Sequence, residues 1–161
     1  MRILTEEANR VILQQLLPEA VLSTYEKETL KEQLSEDIKW TSVIVVGPGL
    51  GMGEQAEIMV KTILEQAEVP VILDADGLNI TANHLEWLKE TKAPVIVTPH
   101  LGEMARLTGK RISDIQGNLL QTAEEFARIY RVICVLKDAR TVTALPDGRV
   151  YINRSGNSGL A

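Results

Sequence analysis

Four short segments of this chain are continuously apolar: Val43-Ile44-Val45-Val46, Val71-Ile72-Leu73, Val95-Ile96-Val97 and Val132-Ile133-Cys134-Val135-Leu136. A strand with one wet face alternates apolar and polar residues. A run without alternation marks a strand covered on both faces, as in the parallel sheets of α/β proteins. Helical patterns separate the four runs. The clearest spans residues 54–67, where Ala56, Met59, Val60, Ile63, Leu64 and Ala67 share one face. A second, over 118–130, aligns Leu119, Leu120, Ala123, Phe126, Ala127 and Tyr130. Shorter helical stretches fall near 83–90 and 102–108. Strand, helix, strand in strict alternation predicts an α/β fold with a mostly parallel sheet flanked by helices.

The ends read differently. Residues 5–17 carry Ala8, Val11, Ile12 and Leu16 at helical spacing, with Thr5 as N-cap and Pro18 as stop. Ala20 to Leu22 is a short strand candidate, and 25–34 a weakly periodic helix. After Lys137, two extended segments, 141–145 and 150–152, flank Pro146-Asp147-Gly148-Arg149 and predict a C-terminal β-hairpin. The 161 residues suit one domain, 1–161. A chain opening on a helix and closing on Ser155-Gly156-Asn157-Ser158-Gly159-Leu160-Ala161 has the look of a fragment, because a helix should follow such a glycine-rich loop to cover the sheet.

Composition narrows the function classes. Hydrophobic residues make up 45% of the chain and the formal net charge is −5. The acidic balance argues against a nucleic-acid partner, which needs a basic surface. It does not argue against a phosphate-bearing small ligand, because backbone amides can hold phosphate. No apolar run reaches the roughly 18 residues needed to cross a bilayer, and the N-terminus lacks the apolar core of a secretory signal. A cytoplasmic protein without membrane contact is the expectation. Cys134, the single cysteine, reads as a small core residue within its apolar run.

The loops that leave the strands carry the chemistry. In an open parallel sheet these loops share one edge, where ligands bind. The first is Gly47-Pro48-Gly49-Leu50-Gly51-Met52-Gly53. It is either a phosphate-approaching turn or merely a tight strand-to-helix connection. It is not a P-loop, and Glu54 stands where a dinucleotide fingerprint needs its third glycine. The second is Asp74-Ala75-Asp76, two carboxylates suited to a water-held magnesium, a ligand hydroxyl or a helix cap. The third, Thr98-Pro99-His100-Leu101-Gly102-Glu103, sends a histidine toward the crevice and places a glutamate at a helix start. His84 belongs to a surface helix. The turn Lys137-Asp138-Ala139-Arg140-Thr141 offers a strand-end ammonium and turn amides to phosphate, or is an exposed connector.

Taken in order, Gly47-Pro-Gly-Leu-Gly, Asp74-Ala-Asp, Thr98-Pro-His-x-Gly-Glu-Met-Ala-Arg-Leu107, Leu136-Lys-x-Ala-x-Thr-Val142, Pro146-Asp-Gly148 and Gly156-Asn-x-Gly159 resemble the ADP/ATP-dependent NAD(P)H-hydrate dehydratases, members of the ribokinase-like superfamily. The resemblance implies a three-layer ribokinase-like fold. It also implies metabolite repair: a nucleotide phosphorylates the hydroxyl of hydrated NADH or NADPH, and phosphate leaves as the ring is restored. Cofactors so implied are ADP or ATP with Mg2+, and the substrate is NAD(P)H hydrate. Gly49, Gly51, Asp74, His100 and Asn157 then match substrate-binding positions. Lys137, Asp138, Ala139, Arg140 and Thr141 match the nucleotide-binding segment. No residue is implied as a protein metal ligand.

The family's catalytic aspartate sits in a Gly-Ser-Gly-Asp loop, and its position is expected beyond Ala161. The chain as given is therefore expected to be inactive, with His100 as a substitute base the alternative. Two departures stand out. Asp138 replaces the usual glycine, and Asp76-Gly77-Leu78 replaces Asp-Ala-Leu. The alternatives are a ribokinase-like vitamin-precursor kinase and a non-catalytic nucleotide-binding fragment. A homo-oligomer is expected for the complete protein.

Overall fold

The computed structural model describes residues 1–153. Among them, six strands form one sheet in sequence order: β3 (Ile44–Val46), β4 (Val71–Leu73), β5 (Val95–Val97), β6 (Ile133–Leu136), β7 (Val142–Ala144) and β8 (Val150–Ile152). The first four are parallel and the last two antiparallel. The mostly parallel α/β sheet and the C-terminal hairpin expected from the sequence are both present. Gly148, at φ +89, supplies the left-handed position of the hairpin turn.

Sheet order and sequence order coincide. The strands β6, β7 and β8 are joined by antiparallel turns, while right-handed crossovers carry the three connections among the parallel strands β3 to β6 over the same face. There the helices α2 (Leu30–Trp40), α3 (Glu54–Gln66), α4 (Asp76–Thr81), α5 (Glu86–Glu90), α6 (Leu101–Thr108), α7 (Ile112–Gly117) and α8 (Leu119–Tyr130) form one layer. The strand side chains facing it are buried: Val46, Val71, Leu73, Val95, Val97, Cys134, Leu136, Val142 and Ala144. Met59, Val60, Ile63 and Leu64 of α3 and Ala123, Phe126 and Ala127 of α8 close the core from above. The alternate strand residues Ile72, Ile96, Ile133 and Val135 are only partly buried, and Val45 is 60% exposed. The three-layer arrangement expected from the sequence is thus represented among the described residues by two of its layers.

The N-terminal reading needs correction. Residues 2–6 form a strand, β1 (Arg2–Glu6), which pairs in parallel with β2 (Val21–Tyr25). Thr5 lies in β1 and is not a helix cap, and the chain begins on a strand. A short 3-10 turn, Glu7–Asn9, follows, and α1 spans only Arg10–Leu16. The apolar periodicity of Val11, Ile12 and Leu16 is real, but it faces outward: these residues are 63%, 59% and 70% exposed. What decides for strand is a distant anchor. Arg2 pairs with Asp37 of α2 at 2.8 Å and lies 3.9 Å from the centre of the Trp40 ring. The helix expected over 25–34 begins later, at Leu30, because Tyr25 closes β2 and the Thr29 hydroxyl forms a turn with Glu26. Its buried residues Leu30, Leu34 and Ile38 recur at four-residue intervals.

Candidate active site

All four crevice loops leave the sheet at one edge because the strands end in register. Val46 pairs with Leu73, Leu73 with Val97, and Val97 with Cys134. Ladder bonds then continue past the strands: Asp74 N donates to the Val46 carbonyl at 3.2 Å, Thr98 N to Leu73 at 3.1 Å and Lys137 N to Pro99 at 2.8 Å. His100 and Lys137 face each other in a parallel bridge. Pro99 contributes an acceptor there without needing one for itself. Each loop therefore starts from a fixed backbone.

The glycine loop is shaped by close approach. Gly47, Gly49 and Gly51 have φ of +125°, +67° and +78°, values that favour glycine. Gly47 also packs directly on Asp74: a Cβ there would lie 1.8 Å from the Asp74 carbonyl oxygen. Gly51 N donates to Asp76 Oδ2 at 2.9 Å, so a carboxylate pins the loop across the crevice. Between the two aspartates, Ala75 holds φ 48° and ψ −121°, a strained conformation for a residue with a side chain. That kink turns the two carboxylates to different partners. Asp76 reaches Gly51, while Asp74 Oδ1 accepts from Ala75 N at 3.0 Å and from Lys137 Nζ at 2.9 Å. Burial opposes ionisation of Asp74, but hydrogen bonds from Lys137, the Thr98 hydroxyl and Ala75 N–H outweigh it and hold the carboxyl below its ordinary range. The Thr98 proton has a second acceptor in reach, the Leu73 carbonyl at 3.3 Å.

His100 is the N-cap of α6. Its Nδ1 accepts from Gly102 N at 2.9 Å and Glu103 N at 3.3 Å, while Glu103 Oε2 accepts from His100 N at 2.8 Å. This is a capping box with imidazole in place of a hydroxyl. Two N–H groups aimed at Nδ1 assign the ring proton to Nε2. His100 thus carries its N–H on Nε2, which lies 3.4 Å from Glu103 Oε1 on a side chain 56% exposed. With its Nδ1 lone pair committed, it is poorly placed as the substitute base that the sequence left open. Glu103 is nearly fully buried and serves the cap.

The Lys137 turn lies beside it. Asp138 has no positive φ, so its replacement of glycine costs no backbone strain. Ala139 and Arg140 are exposed, and the Thr141 carbonyl accepts from Asn153 N at 2.9 Å, closing the turn. Asn157 lies outside the described residues. Cys134 is fully buried and its thiol is pushed up to about 12 by burial, as a core residue requires. His84 is more engaged than a surface position suggests: it stacks on Trp87 at 4.1 Å and lies 3.2 Å from Glu57.

One region was not foreseen. A cleft of about 490 Å³ opens between the ends of β1 and β2 and the glycine loop, lined by Glu6, Tyr25, Lys27, Leu50 and Glu54 among others. The signal for it was Tyr25, which ends a strand facing the loop. It was hidden because Glu6 fell within the helix expected over 5–17 and Tyr25 within the one expected over 25–34.

The model of the NAD(P)H-hydrate dehydratase family matches residues 1–161. The bifunctional NAD(P)H-hydrate repair enzyme Nnr of Thermofilum pendens is 43% identical over 130 residues, covering 81% of this chain and 25% of that protein. The ADP-dependent (S)-NAD(P)H-hydrate dehydratase of Neisseria meningitidis is 35% identical over 147 residues, covering 89% of this chain and 47% of its own length. The ADP/ATP-dependent NAD(P)H-hydrate dehydratase of Bacillus subtilis, co-crystallised with ATP/Mg2+, superposes with a TM-score of 0.73 at 31% identity, over 97% of this chain and 53% of that one. This chain therefore spans between a quarter and about half of these relatives. With a family match from its first residue to its last, the chain belongs to the NAD(P)H-hydrate dehydratase family.

Proposed function

We propose that this chain forms part of an enzyme that dehydrates NAD(P)H hydrate back to NAD(P)H, in the cytoplasm, at the expense of ADP or ATP with Mg2+. The observation that carries it is the pairing of two chemically different half-sites on one sheet edge. On one side stand Gly49, Gly51, Asp74 and the His100 Nε2–H, a surface of donors and acceptors suited to a polar dinucleotide. On the other stands the Lys137 turn, with an ammonium and an exposed backbone loop suited to phosphate. Phosphoryl transfer needs such positioning and charge stabilisation more than covalent chemistry from the protein. A magnesium ion bound with the nucleotide would neutralise phosphate charge. The residues of this chain orient the two ligands: His100 donates, Asp74 and Asp76 fix the loops, and Lys137 supplies positive charge.

Recovery of NADH absorbance from its hydrate, with ADP or ATP and magnesium, tests the proposal on the protein at its native length. Release of inorganic phosphate together with restored NADH supports it. Accumulation of a stable phosphorylated small molecule instead, from a vitamin precursor offered as substrate, would identify a kinase of the same fold.

A further inference from the structure

The Asp74–Lys137 pair joins two stretches of chain 63 residues apart, and it does so over the end of β5. Its two members belong to different half-sites. Asp74 is built into the glycine-loop half: its amide donates to Val46, its carbonyl accepts from Gly77 N at 3.0 Å, and its oxygen touches the backbone of Gly47. Lys137 is built into the nucleotide half, with its amide on Pro99 and its backbone opposite His100. The Lys137 and Asp74 side chains are 41% and 32% exposed, so an incoming ligand reaches both. A half-exposed ion pair is held weakly, because water screens the charges and two side chains must be ordered to make it. A phosphate, with more charge and more oxygens than one carboxylate, competes for the ammonium on favourable terms.

We propose that this pair couples the two half-sites, an inference that rests on the dehydratase reading above. A phosphate at the Lys137 turn draws the ammonium from Asp74. The released carboxylate, partly desolvated and short of a donor, then accepts a hydrogen bond from the hydroxyl of the hydrated dinucleotide. A hydrated dinucleotide arriving first works in reverse: it occupies Asp74 and frees Lys137 for phosphate. Each ligand supplies the partner that the other removes, so each tightens the other, and by linkage the factor is the same in both directions.

The test is calorimetric titration of ADP into the protein at its native length, without magnesium so that no turnover occurs, with and without saturating NADPH hydrate. The expected result is an ADP Kd at least about fivefold lower when the hydrate is present. Asp74→Asn and Lys137→Met should each bind both ligands with that ratio reduced to within twofold of one, and the double variant should lower it no further. A wild-type ratio of one, or a ratio unchanged in both variants, overturns the coupling while leaving the dehydratase reading intact. Failure of wild-type protein to bind either ligand alone overturns that reading and the coupling with it. A second measurement needs no variant: carbon NMR of the Asp74 carboxyl should show its titration moving to higher pH when ADP is added. An unmoved titration with ADP bound means that the ammonium stays on Asp74, and the proposal fails.

Discussion

Gly47 and Asp74 touch through their backbones: a Cβ on Gly47 would stand 1.8 Å from the Asp74 carbonyl oxygen, at φ +125°. Neighbouring glycines are less constrained. A Cβ at Gly77 would lie 2.8 Å from the Val46 carbonyl, and one at Gly49 would meet nothing within 4 Å. Alanine substitutions should therefore rank in that order. Gly47→Ala should cost about 3 kcal/mol or more, combining strain with backbone displacement. Gly77→Ala should cost about 1–3 kcal/mol, because β3 must shift. Gly49→Ala should cost about 1–2 kcal/mol, the left-handed penalty alone. Urea unfolding of the three variants decides it. Equal losses would mean that the loop adapts as a unit and that the Gly47–Asp74 contact is not the constraint.

His100 has two separable roles, which two substitutions distinguish. His100→Ala removes the N-cap and should cost about 0.5–2 kcal/mol of stability. It also removes the Nε2–H donor, and should weaken the hydrated dinucleotide more than the adenine nucleotide. His100→Asn keeps a capping oxygen, so it should recover most of the stability without recovering dinucleotide affinity. If His100→Asn restores both, the cap is all that His100 contributes.

The parts of this fold that could be read from sequence are those settled locally. The valine-rich runs became β3 to β6 because their own neighbours on the chain form the helices that cover them. The α3 stripe became core, as did Ala123, Phe126 and Ala127 of the α8 stripe, because these apolar residues repeat over successive turns, whereas Leu120 of that stripe is 44% exposed. Strand β1 was misread because Arg-Ile-Leu-Thr-Glu carries too short a pattern to outweigh the helical spacing after it, and its anchors, β2 and Asp37, are distant in sequence. The site divides in the same way. Pro99, His100 and Glu103 were legible as a strand end entering a helix, and His-x-x-Glu has the spacing of a capping box. The Asp74–Lys137 pair and the Asp76–Gly51 bond were not, because each depends on which strands lie side by side.

Lys137 should contribute mainly to nucleotide affinity. Lys137→Ala should weaken ADP binding by about 1–3 kcal/mol, the range of a charge-assisted hydrogen bond, and the dinucleotide less. The same substitution has a pH signature. The Asp74 carboxyl sits below its ordinary value in the folded state, so its pairing stabilises the fold above the unfolded pKa, about 3.9, and that contribution is lost as pH falls through the folded value. Wild type and Lys137→Ala should thus differ in stability at neutral pH and converge in acid, by unfolding curves taken from about pH 7 to 2. Parallel curves across that range would show that the pair does not set the Asp74 titration.

The 161-residue chain expressed alone should self-associate. One face of the sheet is covered by the helix layer; the other presents Val45, Ile72, Ile96 and Ile133 as a continuous apolar row, since Val45 pairs with Ile72 and Ile72 with Ile96. Val43 and Val45 are 49% and 60% exposed, and β3 has an unpaired edge among the described residues. Exposed apolar area next to an open strand edge favours association of like chains. Light scattering should report a mass above that of one chain. Val45→Lys, which places a charge on the row without touching the helix-covered core, should shift it toward the monomer. A monomer at high concentration with a sharp two-state urea transition would show that this face is stable in water, and the packing argument would fall.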